Sequence, residues 1–246
     1  MDLDPQIAAT LKSVSTATIT TVLLKKGLRN VWMRGPKPLK SGQLRLVGRA
    51  FTMRFVPARE DLATPDSWAS PRSTRAAIED MPPGVITVID AMGVKDAGVF
   101  GDILCARMAK RGVVAMVTDG VVRDIAGVLA TGLPVWCEGW AAPASVAGLT
   151  FVNWQEPIGC GGVAVFPDDV IMVDDDGAVV IPHKMLDDVA AQASDQGGWR
   201  NGSCRRWSKV RRCQVSIRLT LRTRRGTRPG RRSFDRKSSD ERPRDT

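Results

Sequence analysis

Two short apolar runs, Val85–Asp90 (VITVID) and Val113–Thr118 (VVAMVT), lie on either side of a helix-patterned stretch, Asp102–Arg111. Runs of this length with no polar alternation are strands buried on both faces, and a helix between two of them is the mark of a parallel α/β sheet. A second helical pattern, Val122–Thr131, follows and leads into GLPVWCEG. The strand–helix–strand–helix order predicts an α/β domain. Around it, Leu46–Val56 alternates as a strand, and Ser13–Gly27 reads as a capped helix stopped by glycine. Residues 57–76 read as a long loop running into a short helix. Gly162–Phe166, Val170–Asp174 and Ala178–Pro182 read as a β-meander turning at PDD and DDDG.

Charge divides the chain of 246 residues unevenly. The formal net charge is +10, yet residues 197–246 hold 17 Lys and Arg against 4 Asp and Glu. Taking these from the totals of 36 and 26 leaves 19 basic and 22 acidic residues in 1–196. The body, 1–196, is therefore slightly acidic and is expected to form one domain. The tail, 197–246, lacks sustained periodicity apart from QVSIRLTLR at 214–222 and is expected to be disordered. It reads either as a basic arm that grips nucleic-acid phosphates or as a GC-rich gene segment translated out of frame.

Several chemistries are excluded by residue type. There is one histidine, His183, and no tyrosine, so multi-histidine metal sites and tyrosine bases are ruled out. The five cysteines include no C-x-x-C pair, which suits reduced thiols in a cytoplasmic protein. MDLDPQIAAT lacks a signal-peptide profile, and no apolar run approaches the roughly 18 residues of a membrane helix. Gly159–Ala164 matches G-x-G-x-x-A, but Pro167 follows in a strand-like run, so no helix opens there to hold a pyrophosphate. DDDG lacks the spacing of a calcium loop. His183, after Ile181-Pro182, reads as a surface or capping residue, and Cys105 as a buried small hydrophobe.

Residues 100–124, FGDILCARMAKRGVVAMVTDGVVRD, carry the chemistry. Gly101-Asp102-Ile103-Leu104 opens a helix whose first-turn amides suit a carboxylate ligand. The following strand ends at Thr118-Asp119-Gly120, and the chain then presents Arg123-Asp124. Both turns belong beyond the carboxyl ends of strands, where α/β folds gather their sites. Arg123 offers a bidentate grip on a keto acid, and Asp124 offers a hard oxygen to a divalent metal. The competing reading makes Arg123 and Asp124 a solvated pair at a helix start.

The stretch from STAT at Ser15–Thr18, through GDIL and DGVVRD, to GGVAVFPDDVIMVDDDGAVVIP ending at Pro182 resembles the RraA-like family. This family includes the regulator of ribonuclease activity A and the class II 4-hydroxy-4-methyl-2-oxoglutarate aldolases. The aldolase branch has an acid, twenty residues and then Arg-Asp, and Asp102, Arg123 and Asp124 reproduce it. The resemblance implies a swivelling β/β/α-type single domain, assembled as a homotrimer or hexamer with sites between subunits. It implies Mg2+ or Mn2+ at Asp124 and substrate contact through Arg123. It further implies keto-acid binding by the amides of Gly101, Asp102, Ile103 and Leu104, and a water for proton transfer placed by Asp102. The function so implied is a metal-dependent lyase that cleaves a 2-keto acid through a pyruvate enolate, by retro-aldol cleavage or by decarboxylation of oxaloacetate. Two departures stand out: PDD replaces PGD, and the arginine-rich tail lies where the family carries a helix with an acidic residue. A non-catalytic regulator of an RNA-processing enzyme and nucleic-acid binding through the tail are the rival classes. A methyltransferase role, attached to the family by older names, lacks a glycine-rich loop here.

Overall fold

The computed structural model describes residues 3–194. Its spine is β2 (Leu46–Pro57), whose twelve residues serve three partners. One edge runs parallel to β3 (Val85–Asp90), pairing Arg49–Arg54 with it. The other edge pairs antiparallel with β9 (Val170–Asp174) over Leu46–Arg49 and with β6 (Leu149–Trp154) over Met53–Pro57. Parallel strands β4 (Ala115–Thr118) and β5 (Val135–Cys137) extend the sheet beyond β3, and β10 (Gly177–Ile181) extends it beyond β9. With the two-residue β1 (Lys37–Pro38) on β5, the eight-stranded sheet runs β1-β5-β4-β3-β2-β9-β10, with β6 on β2.

The segment 31–38 nearly closes this sheet into a barrel. Its start bonds to β10 (Met33 N to Ala178 O, 2.9 Å; Val180 N to Val31 O, 2.8 Å), and its end is β1 against β5. Interior positions alternate along the strands as a closed sheet requires: Ile86 and Val88, Ala115 and Val117, Ile171 and Val173, Ala178 and Val180. Trp136 fills the middle, its indole N–H donating to Asp174 O at 2.8 Å. The hairpin of β7 (Ile158–Cys160) and β8 (Val163–Val165) adds its own apolar side chains to that interior.

Two helical layers cover the outside. α1 (Pro5–Ser13), α2 (Thr16–Lys25) and the helical residues 186–194 bury Leu11, Ile19, Val189 and Ala193 against β9 and β10. α3 (Thr74–Asp80), α4 (Asp102–Lys110) and α5 (Ile125–Ala130) cover β2 to β5 through Ile78, Met108 and Val128. With every residue of β3, β4, β5, β9 and β10 buried, the reading of strands buried on both faces holds.

The helix expected over Ser13–Gly27 is present as α2, with Ser15 as its cap (accepting from Thr18 N), and an unforeseen α1, capped by Asp4 (accepting from Gln6 N and Ile7 N), precedes it. Two local expectations are corrected. The final strands are not a continuous meander, because β8 pairs with β7 in a separate two-stranded sheet. The helix expected over Val122–Thr131 starts only at Ile125, for a reason that bears on the site. The DDDG acids serve as a structural anchor: Asp174 accepts from Thr16 N at 2.9 Å and Thr16 Oγ1 at 2.7 Å, tying α2 to β9. The expected tail, 197–246, and the strand-like 214–222 lie outside the described residues.

Candidate active site

Beyond the carboxyl ends of β3, β4 and β5 the connecting chains continue side by side. Gly98 bridges both Val121 and Ala144, and Val122 bridges Trp140. Val99 N donates to Val121 O at 2.8 Å and Arg123 N to Phe100 O at 2.9 Å. Residues 121–123 are thus held extended by their neighbours, which is why α5 starts three residues late. The two turns singled out from sequence meet as a result. Glycines allow the close approach: a Cβ on Gly98 would lie 2.7 Å from Arg123 N and one on Gly127 would lie 2.6 Å from Asp102 Cβ, while one on Gly101 would meet the end of the Asp124 side chain, Oδ2, at 2.8 Å.

The turns line a cleft of about 260 Å³ that includes Gly101, Asp102, Ile103, Leu104, Arg123 and Asp124. Asp124 occupies the N-cap position of α5 in the left-handed region (φ 53°, ψ 48°), yet its carboxylate makes no capping bond. Instead Oδ2 accepts from Arg123 Nε at 2.9 Å. Asp and Asn are the non-glycine residues that best tolerate this conformation, and such a backbone turned away from its capping role is characteristic of functional turns. Asp102 Oδ1 accepts from Ile103 N at 2.7 Å at the start of α4, whose cap residue, Gly101, offers no side chain. Residues 101–104 at the start of this nine-residue helix line the cleft, at the end where a helix dipole favours an anion.

Among the described residues Asp102 and Asp124 are the only carboxylates that line the cleft, and no group of three or more His, Cys, Asp or Glu gathers to hold a metal. One or two hard oxygens fit Mg2+ or Mn2+, which keep water and substrate ligands. They do not fit zinc, which takes three or four protein ligands. The cleft has a further wall that the sequence reading missed: Trp68, Thr74, Arg75, Ala144 and Ser145. Trp68 and Arg75 come from 57–76, a stretch with turn-like composition, and only the fold brings them opposite the GDIL turn.

The other candidates have structural roles. Cys105 is fully buried, and burial pushes its thiol up to about 12. His183 is exposed; its N–H donates to Asp169 Oδ1 at 2.9 Å, and its Nδ1 lies 3.1 Å from Arg49 Nη1. The G-x-G-x-x-A glycines form the β7–β8 hairpin and open no helix. Buried Asp90 and Asp119 latch that hairpin to the strand ends. Asp90 accepts from Met92 N at 3.1 Å and Gly159 N at 3.2 Å. Asp119 accepts from Ala91 N at 2.8 Å and Gly161 N at 3.0 Å.

A sequence profile for the RraA-like family, described as Aldolase/RraA, matches residues 16–180. The chain belongs to the RraA-like family. Its fold agrees with RraAS2 of Streptomyces coelicolor, described as an unusual member of the RNase ES inhibitor RraA family, with a TM-score of 0.74 and 33% identity. That match covers 83% of this chain and 98% of the other. Legionella pneumophila DlpA is 29% identical over 188 residues, which are 76% of this chain and 29% of DlpA. A Halalkalibacterium halodurans protein, provisionally named a 4-hydroxy-4-methyl-2-oxoglutarate aldolase, is 36% identical over 118 residues, 48% of this chain and 55% of that one. This RraA-like chain therefore spans only part of the length of these two curated relatives. The family holds both aldolases and ribonuclease regulators.

Proposed function

We propose that this protein is a divalent-metal-dependent lyase that cleaves the C3–C4 bond of a 2-keto acid and releases pyruvate. The observation that carries this reading is the Asp124 carboxylate, which leaves its helix uncapped and lies beside Arg123 at a cleft lined by the first turn of α4. A solvated pair at a helix start would place that carboxylate on the first-turn N–H groups.

Asp124 would hold the cation, with Asp102 lining the same cleft. When bound, the cation supplies positive charge where the enolate's negative charge develops. The α4 amides and the Nη groups of Arg123 hold the substrate carboxylate, with Arg123 Nε donating to Asp124. Asp102 keeps Oδ1 on Ile103 N and presents Oδ2 to a water. That water carries the proton delivered to C3, a step common to retro-aldol cleavage and to decarboxylation. Histidine is not required.

The test is a panel of pyruvate-releasing keto acids with added Mg2+ or Mn2+, read through a coupled pyruvate assay. Metal-dependent pyruvate release is expected and should vanish with a chelator. No release from any substrate at any metal concentration rejects the reading. Similarity to RraAS2 over nearly its whole length favours a second reading, a regulator that binds a ribonuclease through its surface. Ribonuclease inhibition without keto-acid turnover selects it.

A further inference from the structure

Residues 25–40 carry a charge opposite to that of the body around them. They hold Lys25, Lys26, Arg29, Arg34, Lys37 and Lys40 and no Asp or Glu. Taking these six from the 19 basic residues of 1–196 leaves 13 against 22 acidic ones. Among the described residues only Lys26 of the six pairs with a carboxylate, Asp188 at 3.3 Å. Arg29 and Lys37 line a groove of about 560 Å³ along α2 that shares no residue with the active-site cleft. Lys37 Nζ lies 5.1 Å from the ring centre of Trp32 and donates to Asp176 O at 3.3 Å, while the indole N–H donates to the same oxygen at 3.1 Å. Both side chains are thus steadied and the ammonium charge is left unneutralised. The Asp176 carboxylate also borders the groove but pairs with neither cation, so the groove stays net positive. Its apolar lining is equally unspent. Ile19, Val22 and Leu23 of α2 are buried in the core, whereas Leu24 is 56% exposed and Trp32 is 37% exposed. One exposed apolar side chain is ordinary; two that share a concave groove with Leu28 form a contact patch.

We infer that this groove docks an acidic, amphipathic peptide segment of a partner protein. Its apolar side chains seat against Leu24, Leu28 and Trp32, and its carboxylates meet Arg29 and Lys37. Ala17, Thr21 and Leu24 line the groove at helical spacing on α2, a track that suits a helical segment laid along it. Charge complementarity decides among the occupants. The tail, 197–246, has an excess of thirteen positive charges and is repelled by Arg29 and Lys37. Single-stranded nucleic acid stacks its bases on open aromatic faces, and here Lys37 sits over the indole, while Leu24 and Leu28 offer a phosphate nothing. An acidic segment with apolar anchors satisfies both halves of the groove. Because the groove and the cleft have no lining residue in common, the inference stands apart from the lyase reading.

The experiment selects binders of the full chain from a displayed library of random peptides about 16 residues long, roughly four helical turns. The library is first cleared on the double variant Arg29→Glu/Lys37→Glu, which keeps the basic tail, so that peptides held by the tail alone are removed. Selected peptides are then synthesised with a fluorophore, and their affinities are read by anisotropy. They should carry net negative charge and apolar residues at helical spacing. The double variant and Leu24→Ser should each bind them about tenfold or more weakly than wild type, and the loss in the double variant should shrink as salt rises. Leu24, Arg29 and Lys37 are exposed, so both variants should melt as wild type does. No enrichment, selected peptides without net negative charge, or equal affinity for wild type and the double variant overturns the inference. Single-stranded RNA that binds wild type and not the double variant also overturns it and gives the groove to nucleic acid. A fall in subunit number in Leu24→Ser, read by light scattering, overturns it by making the groove a contact between copies of this chain.

Discussion

Asp124 combines a positive φ, an abandoned cap and a single guanidinium partner, and each points to a residue kept for something other than helix stability. Asp124→Ala is expected to abolish pyruvate release at any practical metal concentration, because it removes the carboxylate nearest Arg123. Arg123→Lys keeps the charge and loses the planar fork, and should lower kcat/KM about ten- to a hundredfold. Asp102→Asn should lower kcat on the order of a hundredfold with a smaller change in KM, as expected for a group that handles a proton. All three side chains lie at turn edges, so circular dichroism spectra and melting temperatures should stay near wild type. Full activity in Asp124→Ala would place the metal elsewhere.

At the scale of elements, what could be read from sequence was what depends on local pattern. VITVID gave β3 to the residue, and the GDIL glycine and the Arg-Asp pair were visible because each is a short signal. The pairing of 98–100 with 121–123 was not legible, since apolar Val121 and Val122 extend the helical pattern and only a neighbouring chain forces them straight. α1 was written in Asp4-Pro5, a capping residue followed by a proline that suits a helix start, yet a helix was expected only from Ser13. The Trp68–Arg75 wall had no local signature. The Asp119 latch, which ties β4 to the β7–β8 hairpin, carries a prediction at this scale. Burial raises its carboxyl above the ordinary range, with Asp90 adding to the effect and the N–H groups of Gly161 and Ala91 opposing it. A raised value means the folded state holds the proton more tightly than the unfolded chain. The stability Asp119 contributes is therefore greatest below the ordinary carboxylate range and falls as pH rises through its own higher value. Asp119→Asn leaves one oxygen for two N–H donors and should cost about 1–3 kcal/mol. Thermal melts of both proteins between pH 4 and 7 should show their difference narrowing as pH rises; a gap that widens would mean that the two N–H bonds outweigh burial and that the carboxyl is not raised.

At the scale of the whole molecule, the barrel interior and both outer layers are complete within the described residues. The last helical residues, 186–194, place Leu186, Val189, Ala190 and Ala193 on the same apolar layer as Leu11, Ile19 and Leu23. From the uneven charge along the sequence and this layer we propose that 1–196 is the folding unit, apart from 197–246 with its excess of thirteen positive charges. A chain ending at residue 196 should melt cooperatively within a few degrees of the full protein. Light scattering should give it the same number of subunits, three or six as the family resemblance implies. Affinity for nucleic acid, if the full chain has any, should disappear with the tail, since a body with 22 acidic and 19 basic residues offers phosphates little net attraction. A truncated chain that unfolds or falls to monomers would make the tail part of the domain. Retained, salt-sensitive nucleic-acid binding would instead move that activity onto the body.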